Sequence, residues 1–392
     1  MAPISTDAIV KDTLATIETL FANEKHPIAL HEPLFAGREW EYTKECLDTG
    51  WVSSVGKFVD RFESDLAKFL DVGHVVATSN GTAALHICLI LAGVKPGDEV
   101  IAPTLSFVAT ANAISYCGAT PHLADSEPIS LGIDAIKLRE YLNENSHLKN
   151  GICTNKSTGK PIRALVAMHT FGHASDIDAI ALLCSDFKIQ FIEDAAESLG
   201  TLYRGRHTGN FGRTAALSFN GNKILTTGGG GAVVTNDSKL AKHAKHLTTT
   251  AKTVHGWRFY HDEIGFNYRM PNVNAAIGCA QLEELPNFLN RKRNLAKKYE
   301  AAFAEKAGAH LFSPPPYSNS NFWLNVLMLD EKNENARDDL LDEAQGRGLM
   351  LRPAWVLMHQ LPMYKTSPAM DLSQSEKIAR RAVCLPSSVN LG

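Results

Sequence analysis

The chain of 392 residues contains no CxxC pair, no GxGxxG fingerprint and no Walker A loop. A nicotinamide-dependent dehydrogenase and a P-loop enzyme therefore find no support. The seven cysteines (Cys46, Cys88, Cys117, Cys153, Cys184, Cys279 and Cys384) are scattered and odd in number. That argues against a disulfide framework and for reduced thiols in a cytoplasmic protein. Neither sign of charge dominates, with 39 Lys plus Arg against 42 Asp plus Glu and a net charge of −3. Nucleic acid and anionic membrane thus have no electrostatic case as main partners. The most apolar stretch, Val75 to Val94, is broken by Ser79, Asn80, Thr82 and His86 and does not read as a membrane span. Asp7, Lys11, Asp12 and Glu18 interrupt any apolar signal core near the N-terminus. No HExxH pattern supports zinc at His169 and His173, and no metal is expected. Repeats, low-complexity tracts and coiled-coil heptads are missing as well. A content of 44% hydrophobic and 21% charged residues is that of a globular protein, and two domains are the default at this length.

The apolar pattern alternates between short strands and helices. Ile9, Val10, Leu14, Ile17, Leu20 and Phe21 predict an amphipathic N-terminal helix within an extension, residues 1–26. Short strands are expected at Val75 to Thr78, Val100 to Ala102, Ala164 to Met168, Lys188 to Glu193, Ala215 to Phe219 and Ala232 to Thr235, with helices opening at Gly81 and Phe107. This predicts an α/β domain, residues 27–273, with a mostly parallel sheet covered on both faces. The polar segment Asn143 to Pro161 reads as a surface excursion. A long helix from Asn274 to Tyr299, strands near Phe322 to Leu329 and a helix near Asn335 to Arg347 predict a smaller α+β domain, residues 274–392.

Two positions carry the chemistry. Lys223 lies between the apolar run Ala215 to Phe219 and a run of four glycines, Gly228 to Gly231. A solvated surface lysine fits that setting poorly. Asp194 ends the apolar run Phe191-Ile192-Glu193, where a carboxylate either caps the next helix or faces a ligand at a parallel-sheet edge. A lysine amine able to form a Schiff base and an acid able to hold a pyridinium nitrogen are the minimal equipment for pyridoxal 5'-phosphate (PLP) chemistry. Ser79-Asn80-Gly81-Thr82 joins a strand to a helix. It is either an ordinary helix cap or a phosphate site built from the first amides of that helix.

Five segments in order complete the pattern: Ser79 to Leu85, Ser106 to Asn112, Glu193 to Ser198, Ser218 to Gly231, and Gly265 to Met270. Together they resemble the DegT/StrS-type nucleotide-sugar aminotransferases, which are fold-type I PLP enzymes, from about Pro27 onward. The resemblance implies a large three-layer α/β/α domain and a smaller C-terminal one. It implies that Lys223 is the Schiff-base lysine and proton carrier, and that Asp194 supports the pyridinium. Phe107 would lie against the pyridine face, and Gly81, Thr82 and Ser218 would hold the cofactor phosphate. It further implies L-glutamate as donor, with pyridoxamine 5'-phosphate formed midway, and a nucleotide-linked keto sugar as acceptor. Asn267 would reach the phosphate in a neighbouring subunit, making an obligate homodimer with shared sites. His169, Trp355 and His359 are expected near substrate. A histidine in place of the lysine marks dehydratases of the family, and this chain keeps the lysine. Asn220-Gly221 stands where many members have His-Pro, and Gly229 where many have glutamate. These departures, with Leu30 to Phe35 and Thr49 to Gly56, resemble the branch acting on 4-keto-6-deoxy-2-acetamido sugars in bacillosamine and legionaminic acid pathways.

Overall fold

The computed structural model describes residues 5–253, 255 and 257–392. Seven strands build its central sheet: β1 (His74–Thr78), β2 (Glu99–Pro103), β3 (Thr120–Ala124), β4 (Ile162–Met168), β5 (Gln190–Asp194), β6 (Thr214–Ser218) and β7 (Gly231–Thr235). Their spatial order is β1-β7-β6-β5-β4-β2-β3. Strands β2 to β6 pair in parallel. Strand β7 runs antiparallel to both of its neighbours, so the sheet is mixed and mostly parallel.

Period-2 geometry splits each strand between two cores. Ala164, Val166, Ile192, Ala216 and Val233 face a layer that includes the helices Gly81–Leu91 and Ser238–Thr248. Leu165, Ala167 and Phe191 face the opposite side with the helices Ala135–Asn145 and Ile177–Phe187. There Ala215, Leu217, Ala232 and Val234 pack against the helix Lys57–Leu70. Burial on both faces is why these strands read as continuous apolar runs. The helix Lys57–Leu70 was absent from the sequence reading. It buries Phe58, Val59, Phe62, Leu66 and Leu70, at close to helical spacing. Each such side chain contributes about 1.5–3 kcal/mol by leaving water.

The segment expected to be a surface excursion folds into the hairpin Ser146–Lys149 and Ile152–Asn155. Asn155 ties it to the sheet by donating to Glu99 Oε2 at 2.9 Å.

A second sheet, entirely antiparallel, comprises β8 (Ala309–Leu311), β9 (Asn325–Leu329), β10 (Arg352–Pro353) and β11 (Ala382–Leu385) in the order β8-β9-β11-β10. On its outer face Leu327 and Leu329 meet Ile9, Leu14 and Ile17 of the N-terminal helix Thr6–Leu20. That helix is an extension in sequence but a core element in space. On the inner face Val326 and Met328 meet Leu105, Phe171 and Trp323, which carry the small sheet up to the edge of the large one. The helix Asn272–Phe303 joins the two bodies. Its first half shares a core with Phe62, and Leu295, Tyr299 and Phe303 enter the core of the small sheet. Lys292 on this helix is fully buried, and its Nζ donates to the carbonyls of Trp323 and Ser387.

Candidate active site

A cleft of about 280 Å³ opens at the carboxyl ends of the parallel strands, where open α/β sheets bind ligands. Its walls include Gly81 and Thr82 after β1, Met168 and Asp194 at the ends of β4 and β5, Ser218 at the end of β6, and Lys223 in the turn beyond. A larger cavity of about 540 Å³ lies elsewhere, beside Cys46, Trp51, Val55 and Asn272. Its Glu45 and Lys57 pair with each other at the surface, whereas the smaller cleft gathers buried Asp194 and Glu197 with Lys223 at the strand ends.

The strand end fixes Asp194. It is 6% exposed. One carboxylate oxygen accepts from Thr110 Oγ1 at 2.8 Å and the other from the Ala196 amide at 3.2 Å. Burial pushes its pKa up, against those two hydrogen bonds and the Lys223 charge. A carboxylate has about four acceptor sites, so capacity remains on the cleft side for a cationic partner.

Lys223 projects from the loop between β6 and β7. Its Nζ stands 3.2 Å from Glu197 Oε1 and 3.8 Å from the centre of the Trp323 ring. Trp323 is itself held by its Nε1 donating to the Asn222 carbonyl at 2.7 Å. Glu197 Oε2 accepts from the Phe171 amide at 3.0 Å. Burial raises the Glu197 carboxyl to about 7; Lys223 pulls it down and Asp194 pushes it further up.

The start of the helix Gly81–Leu91 is capped by Asn80, whose side chain accepts from the Ala83 amide at 2.8 Å. The cap reading of this segment holds, and it leaves room for the other. The cap takes Ala83, while the first amides of a helix have no partner within it, and Gly81 and Thr82 border the cleft. Close packing explains the glycines. A Cβ on Gly81 would stand 2.7 Å from Ser218 Cβ, and one on Gly231 would stand 2.5 Å from the Asn80 carbonyl. Phe107, 49% exposed, and Trp355 form an aromatic wall with ring centres 6.5 Å apart. Trp355 in turn stacks on Phe171 at 4.8 Å.

Two expected residues, His169 and His359, are not brought to the cleft, and Asn267, expected at a neighbouring subunit's phosphate, does not line its own. His169 is completely buried, with Nε2 at 3.0 Å from Glu193 Oε2 and Nδ1 accepting from the Ser175 amide at 3.3 Å. Both its nitrogens are engaged, so it supports the strand rather than facing a substrate. His359 is engaged likewise, by Thr104 Oγ1 at 2.8 Å and Glu376 Oε1 at 3.2 Å. Asn267 is exposed, and its Oδ1 accepts from Arg269. Glu197, Thr110 and Trp323 joined the site without being singled out. Glu197 and Thr110 lay inside quoted motifs, where a second acid three positions after Asp194 was the available signal. Trp323 carried none, because only the fold brings it in from the small domain.

The donor set fits a phosphorylated aromatic cation: helix amides and a hydroxyl at one end, an under-satisfied buried carboxylate at the other, and a lysine between. That is the equipment of a fold-type I PLP enzyme. Comparison with known proteins agrees. Residues 35–392 match the model of the DegT/DnrJ/EryC1/StrS aminotransferase family, and the chain belongs to that family. It is a PLP-dependent sugar aminotransferase. Relatives include GDP-perosamine synthases of Caulobacter vibrioides, 36% identical over 93% of this chain and 94% of that one, and of Vibrio cholerae, 37% identical over 92% and 94%. Among solved structures, the aminotransferase TlmJ from Streptoalloteichus hindustanus superposes with a TM-score of 0.83 at 30% identity, covering 92% of this chain and 93% of that one. The Helicobacter pylori aminotransferase PseC, involved in pseudoaminic acid biosynthesis, gives 0.84 at 25% identity, covering 94% and 95%. No helix among the described residues is long and apolar enough to cross a membrane.

Proposed function

We propose that this chain moves the amino group of L-glutamate to C4 of a nucleotide-linked 4-keto-6-deoxyhexose of the 2-acetamido class. The observation that carries the reading is Lys223 Nζ, held between Glu197 and the Trp323 ring in the cleft that Asp194 borders. Bound PLP would supply the electron sink that stabilises negative charge on the substrate carbon. Lys223 Nζ would hold the cofactor at rest; displaced by the donor's amine, the freed Nζ would take the proton from the donor α-carbon and, in the second half, deliver one to C4 of the acceptor. Asp194 would keep the ring nitrogen cationic. Gly81, Thr82 and Ser218 would hold the phosphate, and Phe107 and Trp355 would orient a flat ring and shed water. Glu197 positions Nζ.

A second reading, a GDP-linked acceptor without the 2-acetamido group, draws on the GDP-perosamine synthases among the relatives. The reverse half-reaction with a panel of nucleotide 4-amino sugars, followed by NMR, separates the two. Consumption of only 2-acetamido sugars supports the first reading. Consumption of only GDP-perosamine overturns it.

The functional unit in this reading is a homodimer with shared sites. Asn267 is exposed and is not among the residues lining its own cleft, and Trp40, Trp51, Trp257, Phe259 and Ile264 are large apolar side chains left 57–86% exposed. Mixing the inactive Lys223→Ala with Asn267→Asp should restore one competent site per heterodimer. No recovered activity after confirmed subunit exchange would rule shared sites out.

A further inference from the structure

Away from the cleft, two histidines and two carboxylates meet on the surface of the large domain. His243 and His246 lie three positions apart on the helix Ser238–Thr248, so their side chains share one face. Asp262 and Glu263 come from the chain that follows this helix. His243 Nε2 stands 3.0 Å from Glu263 Oε1, while His246 Nε2 stands 2.6 Å from Asp262 Oδ1 and 3.7 Å from Glu263 Oε1. Ligand atoms of His246, Asp262 and Glu263 all lie within 4.8 Å of one another, the only such group among the described residues. No metal is expected from the sequence, where Asp262 stands 16 positions beyond His246; the fold closes that gap.

Surface pairing explains each contact but not the gathering. An exposed ion pair is worth about 0–1 kcal/mol, and one acid suffices for one histidine. Here Glu263 Oε1 approaches both histidines, and Asp262 brings a second acid to His246. The set suits a divalent cation. Two carboxylates balance its charge, and two imidazoles supply nitrogen donors, the mixture that zinc accepts. Around a tetrahedral zinc, bonds of about 2.0–2.1 Å place neighbouring ligand atoms about 3.3 Å apart. The three distances here, 2.6, 3.0 and 3.7 Å, straddle that value. Side-chain exposures of 26% to 49% leave the group open to ions from solvent. Lys245 does not compete for the acids, since its Nζ is 2.7 Å from Glu63 Oε1. His261 is engaged elsewhere, with Nδ1 at 2.7 Å from the Thr250 carbonyl.

We propose that His243, His246, Asp262 and Glu263 form a structural site for a divalent transition-metal ion of the zinc type. Between the histidines and the acids runs a hairpin, in which Lys252 bridges His261 and the Thr253 amide donates to the Tyr260 carbonyl at 2.9 Å. It carries Trp257 and Phe259, 82% and 77% exposed. Two ligands precede the hairpin and two follow it, so the ion closes its base onto the helix.

The test titrates Zn2+ by calorimetry into the PLP-loaded protein after treatment with a chelator, with Mg2+ in parallel. One Zn2+ per chain should bind. Mg2+ demands oxygen ligands in octahedral array and should give no heat. His246→Ala and Asp262→Asn should each weaken Zn2+ binding about tenfold or more, since even an outer partner of a ligand is worth that much. Zinc held instead by the cofactor or by thiols would survive the double variant of His246→Ala and Asp262→Asn. Undiminished binding in that variant overturns the site, and so does a wild type that takes up no Zn2+. Should the variants misfold, the ring 15N shifts of His243 and His246 in the wild type decide. They should move until one equivalent of Zn2+ is reached. Shifts that stay still, or that move equally with Mg2+, overturn the proposal.

Discussion

Glu193 and Asp194 are neighbours on β5, and the pleat sends their carboxylates to opposite sides of the sheet. Glu193 is fully buried and accepts from the amides of Gly209, Phe211 and Gly212, each at 2.7 Å, with His169 at 3.0 Å. Burial pushes its pKa up, but the His169 hydrogen bond and charge and those amides outweigh it, and the carboxyl is held below the ordinary range. Asp194 has two donors, and its pKa is raised. Three residues further on, Glu197 is raised to about 7. The back of the strand is electrostatically finished and the front is not. A carboxylate saturated by its own chain holds the fold, whereas one left short of donors is free for a ligand.

The largest way to break this contrast is at the front. Lys223→Ala should lower turnover by about a thousandfold or more, since in the proposed mechanism it removes the attachment point and the proton carrier together. The melting temperature of the cofactor-free variant should change little. Mass spectrometry after borohydride treatment checks the attachment. A peptide still carrying the cofactor at another lysine would move the site away from Lys223.

The next two predictions separate the faces directly. Asp194→Asn keeps the shape and loses the charge, so the rate should fall about ten- to a hundredfold with stability nearly unchanged. Glu193→Gln should do the reverse. Replacing an acceptor-only carboxylate by an amide turns one oxygen into a donor facing amide donors, which should cost about 1–3 kcal/mol of stability or more. The activity per folded molecule should stay near that of the wild type. Urea midpoints and initial rates on the same preparations decide. A Glu193→Gln protein of undiminished stability but low kcat would erase the distinction between front and back.

The sequence made the front of this contrast visible and hid the back. Lys223 and Asp194 stood out because a lysine and an acid interrupt apolar runs. Gly81, Thr82 and Ser218 lay on strand ends that the period-2 pattern already placed at one edge. His169 and Glu193 sit just as close to those strand ends. One-dimensional pattern does not say which side of the pleat finds amide donors, and those donors come from the Gly209 to Gly212 loop. His359 failed for the same reason, its partner Glu376 lying on a later helix. Elements whose pairing is local, such as the helix Gly81–Leu91, were legible to the residue. The position of Trp323 over Lys223 depends on docking the small sheet against the large one, which no local signal encodes.

The smallest expected effect is a pH dependence, and it sharpens the contrast within the front itself. Glu197 binds its proton more tightly in the folded chain, at about 7, than at its ordinary 4.5. Its contribution to stability is therefore fully present below about 4.5 and is lost as the pH rises through about 7. Glu197→Gln is neutral throughout and removes that dependence. In the cofactor-free protein, the melting temperature of the variant relative to wild type should rise steadily between pH 4.5 and 8. Asp194 is also raised, but it is present in both proteins, so the difference between the two curves isolates Glu197. Parallel curves across that window would mean that Lys223, 3.2 Å away, keeps the Glu197 carboxylate ionised. The pair would then be a finished ion pair like those on the back of the strand.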